Sequence, residues 1–372
     1  MKTYKTIKRD KNNLGLSCLL GIIFTLQSGL LLAGNFIEPD DKYIQYTGRM
    51  DFVNPKQPLI SWPGTSIKAK FTGKTLKIKL DDQEGNNYFN VIIDGNDQFP
   101  HVLHAKQGSH VYPIAFYLQD GEHIVELYKR TEGHEGSTKF LGLELADNGK
   151  LLNPPTRPIR KIAFFGDSIT SGQGNEAADN SGDLDLSEKN NYLSYSSITA
   201  RKLNAEHHTV SLSGIGIMLS WFDFTMPEYF DQVNGAGNNK SHWDFSSWTP
   251  DIVVINLFQN DSWLVKDPKR ISPMPNSEQI IQAYVDFVYT VSQRYPNKPI
   301  ICALGSMDIT KQGSNWPGYV KTAVARIKQM DSKANIDTVL FEHTGYKKHP
   351  RVNQHQRNAE KLTEFIKGKM GW

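Results

Sequence analysis

The chain has 372 residues, of which 38% are hydrophobic and 22% charged, and its formal net charge is +3. That length and composition suit about two packed domains and exclude a disordered chain. The charge excess belongs to the first 34 residues; beyond them 37 basic side chains face 38 acidic ones, so neither nucleic acid nor an anionic membrane is indicated as a partner.

Lys2, Lys5, Lys8, Arg9 and Lys11 precede an apolar run from about Leu14 to Gly34. A basic head and an apolar centre read as an export signal over residues 1–34, directing the chain to the periplasm or outside the cell. An uncleaved membrane anchor fits the same run, which is near spanning length. Asn35 stands where a lipoprotein cleavage box would need cysteine. Cys18 and Cys302 are the only cysteines, so a chain that loses its signal has no internal disulfide. No Cys/His group has zinc-site spacing, and no metal is expected.

Residues 40–147 alternate apolar and polar positions in short runs such as "SIKAKF", "TLKIKL" and "HIVELYKR", divided by turns such as "DGND". This pattern predicts an antiparallel β-sandwich of jelly-roll type. Residues 148–160 hold three prolines and no periodicity, as a linker does. From 161 to 372 apolar runs alternate with helical patterns. The runs at 161–165, 208–213, 251–258, 299–305 and 337–342 predict a doubly wound α/β layer on a five-stranded parallel sheet. One of its helices is expected to start at an Asn276 cap with Gln279 three residues on, burying Ile280, Tyr284, Phe287, Val288 and Val291.

Ligands of such sheets sit outside the carboxyl ends of the strands. Ser168 of "FFGDSIT" follows the first strand there, with Gly166 permitting a sharp turn. A serine nucleophile needs a base and donors for the oxyanion it creates. Gly214 after the second strand, Asn260 after the third and His349 after the fifth supply candidates in that order. Each is weak alone; together they form a coherent set.

With these residues the chain resembles the SGNH (GDSL) hydrolase superfamily over about residues 160–370, and the preceding sandwich, with "YKRTEG" and "FLGLEL" near its end, is similar to carbohydrate esterase family 2. The resemblance implies Ser168 as nucleophile and His349 as base, with Ser168 N–H, Gly214 N–H and Asn260 as the oxyanion hole. It further implies an esterase that removes O-acetyl groups from polysaccharide or oligosaccharide through an acetyl-enzyme. No cofactor and no stable protein partner are expected.

Two departures stand out. Phe258 occupies the position where the family's third block has glycine, and is a candidate substrate contact in the acyl pocket. Lys347 and Tyr346 stand where the family commonly has an aspartate before the histidine, and Lys347 would disfavour the imidazolium if close. A Ser-His dyad, with a backbone carbonyl holding the imidazole, is the expected solution; Asp308 and Glu342 near strand ends are candidate remote acids. Asp167 and Asp261 are expected to bond neighbouring loops, His343 is a lesser candidate base, and His355 is expected to be solvated. Among many loop aromatics, including Trp221, Phe222, Phe224, Tyr229, Trp243, Trp248 and Trp316, Trp263 is the strongest candidate for stacking on sugar. Two other readings stay open: a lipase or thioesterase acting on longer acyl chains, and a catalytically silent carbohydrate-binding protein.

Overall fold

Alternation decides the first half of the chain. In the strand Ser66–Thr72 it buries Ile67, Ala69 and Phe71 and leaves Lys68 and Lys70 at the surface, and Leu76–Asp82 does the same with Leu76, Ile78 and Leu80. The computed structural model, which describes residues 34–343 and 348–372, assembles these strands into two antiparallel six-stranded sheets. In one sheet Thr138–Leu145 lies between Leu59–Ile60 and Leu76–Asp82; in the other Glu122–Lys129 lies between Ser66–Thr72 and Asn87–Ile93. Their inner faces enclose a core that includes Phe71, Phe89, Phe140 and Leu143.

The sandwich is longer than the sequence pattern indicates. Asn35–Ile37 already pairs with Thr138–Leu145, and Leu151–Leu152, inside the expected linker, pairs with Ser66–Thr72. Pairings of two or three residues are too short to leave an alternation. The export-signal reading falls on residues that lie outside those described, Gly34 apart. No helix among the described residues is long and apolar enough to cross a membrane.

The α/β layer has parallel strands β1 (Arg160–Gly166), β2 (Ala205–Ser211), β3 (Ile252–Asn256), β4 (Ile300–Leu304) and β5 (Ile336–Leu340), in the order β2-β1-β3-β4-β5. It is flanked by helices α1 (Tyr195–Lys202), α2 (Ser277–Arg294), α3 (Trp316–Met330) and α4 (Val352–Met370). The two-residue period of β1 sends Ala163 and Phe165 into one core with Tyr284 and Val288 of α2 and Val320 of α3. It sends Ile162 and Phe164 into the other, with Ile198 of α1 and Leu362 and Ile366 of α4. Burial on both faces is why these strands read as continuous apolar runs. At the start of α2, Asn276 Oδ1 accepts the Gln279 N–H and Gln279 Oε1 accepts the Asn276 N–H, each at 2.9 Å, and all five expected apolar positions are buried.

Sandwich and α/β layer are locked together by buried side chains. Trp62 of the sandwich belongs to the core of the α/β layer, donates its indole N–H to Val233 O at 2.8 Å and packs on Tyr229. Arg49 is 1% exposed, donates to Phe230 O and Gln232 O, and lies over the Trp243 and Phe245 rings. Trp62→Ala should therefore destabilise the protein by about 3–5 kcal/mol, read from urea unfolding. A loss no larger than that of a surface substitution would mean that the two parts stand independently.

Candidate active site

Ser168 is delivered by β1, whose last residue is Gly166. The glycine is required by packing: a Cβ there would lie 2.0 Å from Thr170 Oγ1 and 3.1 Å from Asn256 O, whereas its φ is ordinary. The expected role as a turn residue is thus corrected to one of close approach. Asp167 caps the short helix Ser168–Ser171 by accepting the Ile169 N–H at 3.0 Å, which leaves the N–H of Ser168 without an intrahelical partner.

His349 reaches Ser168 directly. Its Nε2 lies 2.9 Å from Ser168 Oγ, and on its other side Nδ1 lies 2.9 Å from Asp183 Oδ2. The same carboxylate oxygen accepts the His349 backbone N–H at 2.9 Å. With a carboxylate on Nδ1, that nitrogen carries the proton and Nε2 is the acceptor for the serine hydroxyl. Hydrogen bonding from the His349 ring, opposed by partial burial and helped by the His349 N–H and nearby positive charge, holds the Asp183 carboxyl well below the usual carboxylate range. The dyad held by a backbone carbonyl is therefore corrected: a carboxylate occupies that position.

Neither candidate remote acid does this work. Asp308 accepts the Trp263 indole N–H at 3.0 and 3.1 Å and the Gln259 amide at 2.8 Å, while Glu342 is a surface residue 3.9 Å from Lys361. Sequence reasoning missed Asp183 because it lies in residues 172–194, more than 150 positions from the histidine. That stretch, built only of turns and two 3-10 helices, is itself a signal, since loops of such length in compact domains are commonly functional. Within that stretch Gly174 packs against the acid: a Cβ there would lie 2.5 Å from Asp183 Cβ.

The rival histidines fall away. His343 Nδ1 faces Met307 O at 3.2 Å. His355, expected in solvent, is fully buried; it accepts the Tyr195 N–H through Nδ1, and burial pushes its pKa down to about 3. Lys347 and Tyr346 lie outside the described residues.

Gly214 follows β2 with φ +93°, a conformation that favours glycine. Asn260 donates Nδ2 to Ile215 O at 2.8 Å, which braces this loop and leaves the second N–H of that amide for an oxyanion. Asp261 holds the same loop by accepting the N–H groups of Ile217, Met218 and Leu219 at 3.0, 2.6 and 3.0 Å. Ser168, Gly214, Asn260 and His349 line one open cleft of about 350 Å³, with Trp221 and Trp263 at its sides. Of the other loop aromatics, Phe222 and Phe224 stack on each other, Tyr229 lies against Trp62, Trp248 stacks on His208 and Trp316 packs on Phe258. Among the described residues, no group of three or more His, Cys, Asp or Glu side chains is arranged to hold a metal ion.

Phe258 does not touch this cleft, which corrects its expected substrate contact. Its ring is 0% exposed, packed 4.8 Å from Tyr284 and 5.0 Å from Trp316 between centroids. Its backbone has φ +88°, ψ −11°, the left-handed region that glycine adopts freely. The position keeps a glycine's conformation while its side chain turns into the core.

Residues 46–155 match the family described as Carbohydrate esterase 2 N-terminal, and residues 164–363 match the GDSL-like Lipase/Acylhydrolase family. The chain belongs to the GDSL-like lipase/acylhydrolase family. Its two-part architecture is that of carbohydrate esterase family 2. It is 32% identical over 90% of its length to Cellulase/esterase CelE of Acetivibrio thermocellus, of which it spans only 40%. An acetylxylan esterase / glucomannan deacetylase of Cellvibrio japonicus is 26% identical, over 92% of this chain and 93% of that one. Among solved structures, a family two carbohydrate esterase from Clostridium thermocellum in complex with cellohexaose aligns with TM-score 0.79 and 32% identity, over 88% of this chain and 99% of that one.

Phe258→Gly removes a buried ring and relieves a left-handed backbone, for a net destabilisation of about 2–3 kcal/mol. Its preference between acetyl and octanoyl nitrophenyl esters should be unchanged; a broadened preference would put the ring back in the acyl pocket. Burial, assisted by the charges of Asp261 and Glu132 and opposed by the Ile169 N–H, pushes the Asp167 carboxyl up to about 7. The folded state thus binds this proton more tightly than the unfolded chain, so stability falls as pH rises from about 4 towards 7. Asp167→Asn, which can still accept the Ile169 N–H, should flatten thermal stability across that window, whereas an unaltered slope would show that Asp167 ionises normally.

Proposed function

We propose that this protein is an exported serine esterase that removes O-acetyl groups from a polysaccharide or oligosaccharide. His349 takes the Ser168 proton as Oγ attacks the acetyl carbonyl, and Asp183 stabilises the imidazolium that forms. The tetrahedral oxyanion is held by the N–H groups of Ser168 and Gly214 and by the Asn260 amide. Collapse releases the sugar hydroxyl, which receives its proton from His349. A water then attacks the acetyl-enzyme with His349 again as base, and acetate leaves.

The observation that carries this reading is the continuous contact from Asp183 through His349 to Ser168, 2.9 Å on each side, ending in a cleft that Gly214 and Asn260 share. The two indoles beside it supply flat apolar faces suited to the C–H faces of a sugar ring. Trp263 is the better oriented, because Asp308 fixes its N–H. The substrate class draws support from the relatives that carry acetylxylan esterase and glucomannan deacetylase as their names. Export rests on the basic and apolar character of residues 1–34.

The test is acetate release from acetylated xylan and glucomannan by the chain without its signal. Ser168→Ala and His349→Ala should each reduce it by at least about 10⁴-fold. Asp183→Asn, which keeps an acceptor for the imidazole but not the charge, should lower kcat/KM by roughly 10²–10⁴-fold. Full activity in that variant would restore the dyad. Octanoyl esters cleaved faster than acetyl esters would favour a lipase, and glycan affinity without turnover would favour a silent binding protein.

A further inference from the structure

The wall of the cleft is not built by the α/β layer alone. The sandwich strand Glu122–Lys129 runs on into Arg130–Glu135, and Glu132, His134 and Glu135 line the cleft. A Cβ on Gly133 would lie 1.8 Å from Gly235 O, so this turn is pressed against the α/β layer. Glu132, Glu135 and Lys189 are 0%, 3% and 2% exposed. The Lys189 ammonium lies 2.9 Å from Glu132 Oε1 and 2.5 Å from Glu135 Oε1, and Glu135 Oε2 accepts the Glu132 N–H at 2.9 Å.

The second oxygen of Glu132 points elsewhere. Oε2 accepts the backbone N–H of Ser213 at 2.9 Å, the residue immediately before Gly214. Ser171, at the end of the short helix that begins with Ser168, also favours the ionised form of this carboxyl. Burial acting alone would raise the Glu132 carboxyl; the Lys189 charge and these hydrogen bonds outweigh it and keep the group ionised. An anion is thus held against the peptide that leads into the oxyanion hole. From the other side, Gly214 O accepts the Trp221 N–H at 3.0 Å and Asn260 holds Ile215 O, so the Gly214 peptide is clamped at both ends.

We propose that Glu132 is a positioning residue for ester hydrolysis: by holding the Ser213 N–H it aims the Gly214 N–H at the oxyanion, so the sandwich supplies part of the catalytic geometry. This rests on the Ser168 esterase reading above. The competing role is charge neutralisation of Lys189, and the two separate experimentally. Removing Glu132 alone strands a buried ammonium on one remaining partner, whereas removing both Glu132 and Lys189 leaves no stranded cation, and Glu135 keeps Lys129 as a neighbouring charge.

The experiment compares the parent, Ser168→Ala, Glu132→Ala, Lys189→Met and the Glu132→Ala/Lys189→Met double variant. Each is read by thermal melting, by kcat and KM on 4-nitrophenyl acetate across pH, and by affinity for a trifluoromethyl ketone, whose serine adduct bears an oxyanion. Glu132→Ala and the double variant should both lose kcat by roughly 10–100-fold. Their KM should stay within about threefold, ketone affinity should fall in step with kcat/KM, and the acid limb of the pH profile should not move because His349 and Asp183 are untouched. If Glu132→Ala fails to fold, the double variant carries the same comparison. Recovery of kcat in the double variant to the level of Lys189→Met, or a loss confined to KM, overturns the proposal in favour of charge neutralisation. If the parent has no Ser168-dependent turnover, the esterase reading fails and this proposal with it; Ser168-dependent turnover that survives loss of Glu132 overturns the proposal alone.

Discussion

The pair of hydrogen bonds around His349 is the constraint that the rest of the site is organised to meet. A serine hydroxyl becomes a nucleophile only while an imidazole of the correct tautomer stays within reach, and Asp183 at 2.9 Å fixes both tautomer and orientation. Neither partner lies on a strand or helix, so both need bracing. Arg351 donates to Gly174 O at 2.6 Å, Val352 N–H donates to Asn175 O at 3.0 Å, and Lys348 donates to Ser181 O. Gln173 donates to Asp183 O at 2.6 Å. The segment that carries the base and the segment that carries its acid are thus tied to each other before either meets the nucleophile.

The same stretch is fastened to the sandwich. Arg130 pairs with Glu176 and donates to Lys189 O at 3.2 Å, while Lys189 reaches back to Glu132 and Glu135. Apart from Glu176 these charges are buried, and burying charge is unfavourable unless every partner is in place. The arrangement therefore favours one docking of sandwich on α/β layer over near neighbours that would leave a charge unpaired. Trp62 and Arg49 supply the packing for that docking; the ion network near the cleft supplies its specificity.

Much of this was legible in the sequence because it rests on local pattern. Period-two alternation marked the sandwich, continuous apolar runs marked strands buried on both faces, and the Asn276–Gln279 capping box marked the start of α2. Ser168, Gly214, Asn260 and His349 could be found because each follows a strand, and the cleft lies at those strand ends. Asp183 and Glu132 were not legible for one shared reason. Each acts through a contact between segments distant in sequence, and an acidic residue in a loop has no periodicity to distinguish it from a solvated one. His355 was misread in the same way: a polar helix start hides a ring that tertiary packing takes fully inside.

Phe258 shows why a departure from a motif need not be a departure in geometry. The chain must leave β3 and enter the helix Gln259–Leu264 at once, so that Asn260 and Asp261 reach the loop after β2. That turn needs a left-handed residue at 258, which glycine supplies without steric cost and a larger residue supplies at about 1–2 kcal/mol. Burying a phenyl ring between Tyr284 and Trp316 contributes about 1.5–3 kcal/mol in return. The backbone constraint is the functional one, since it aims Asn260. The side chain at 258 is then free to be whatever the core beneath it can enclose.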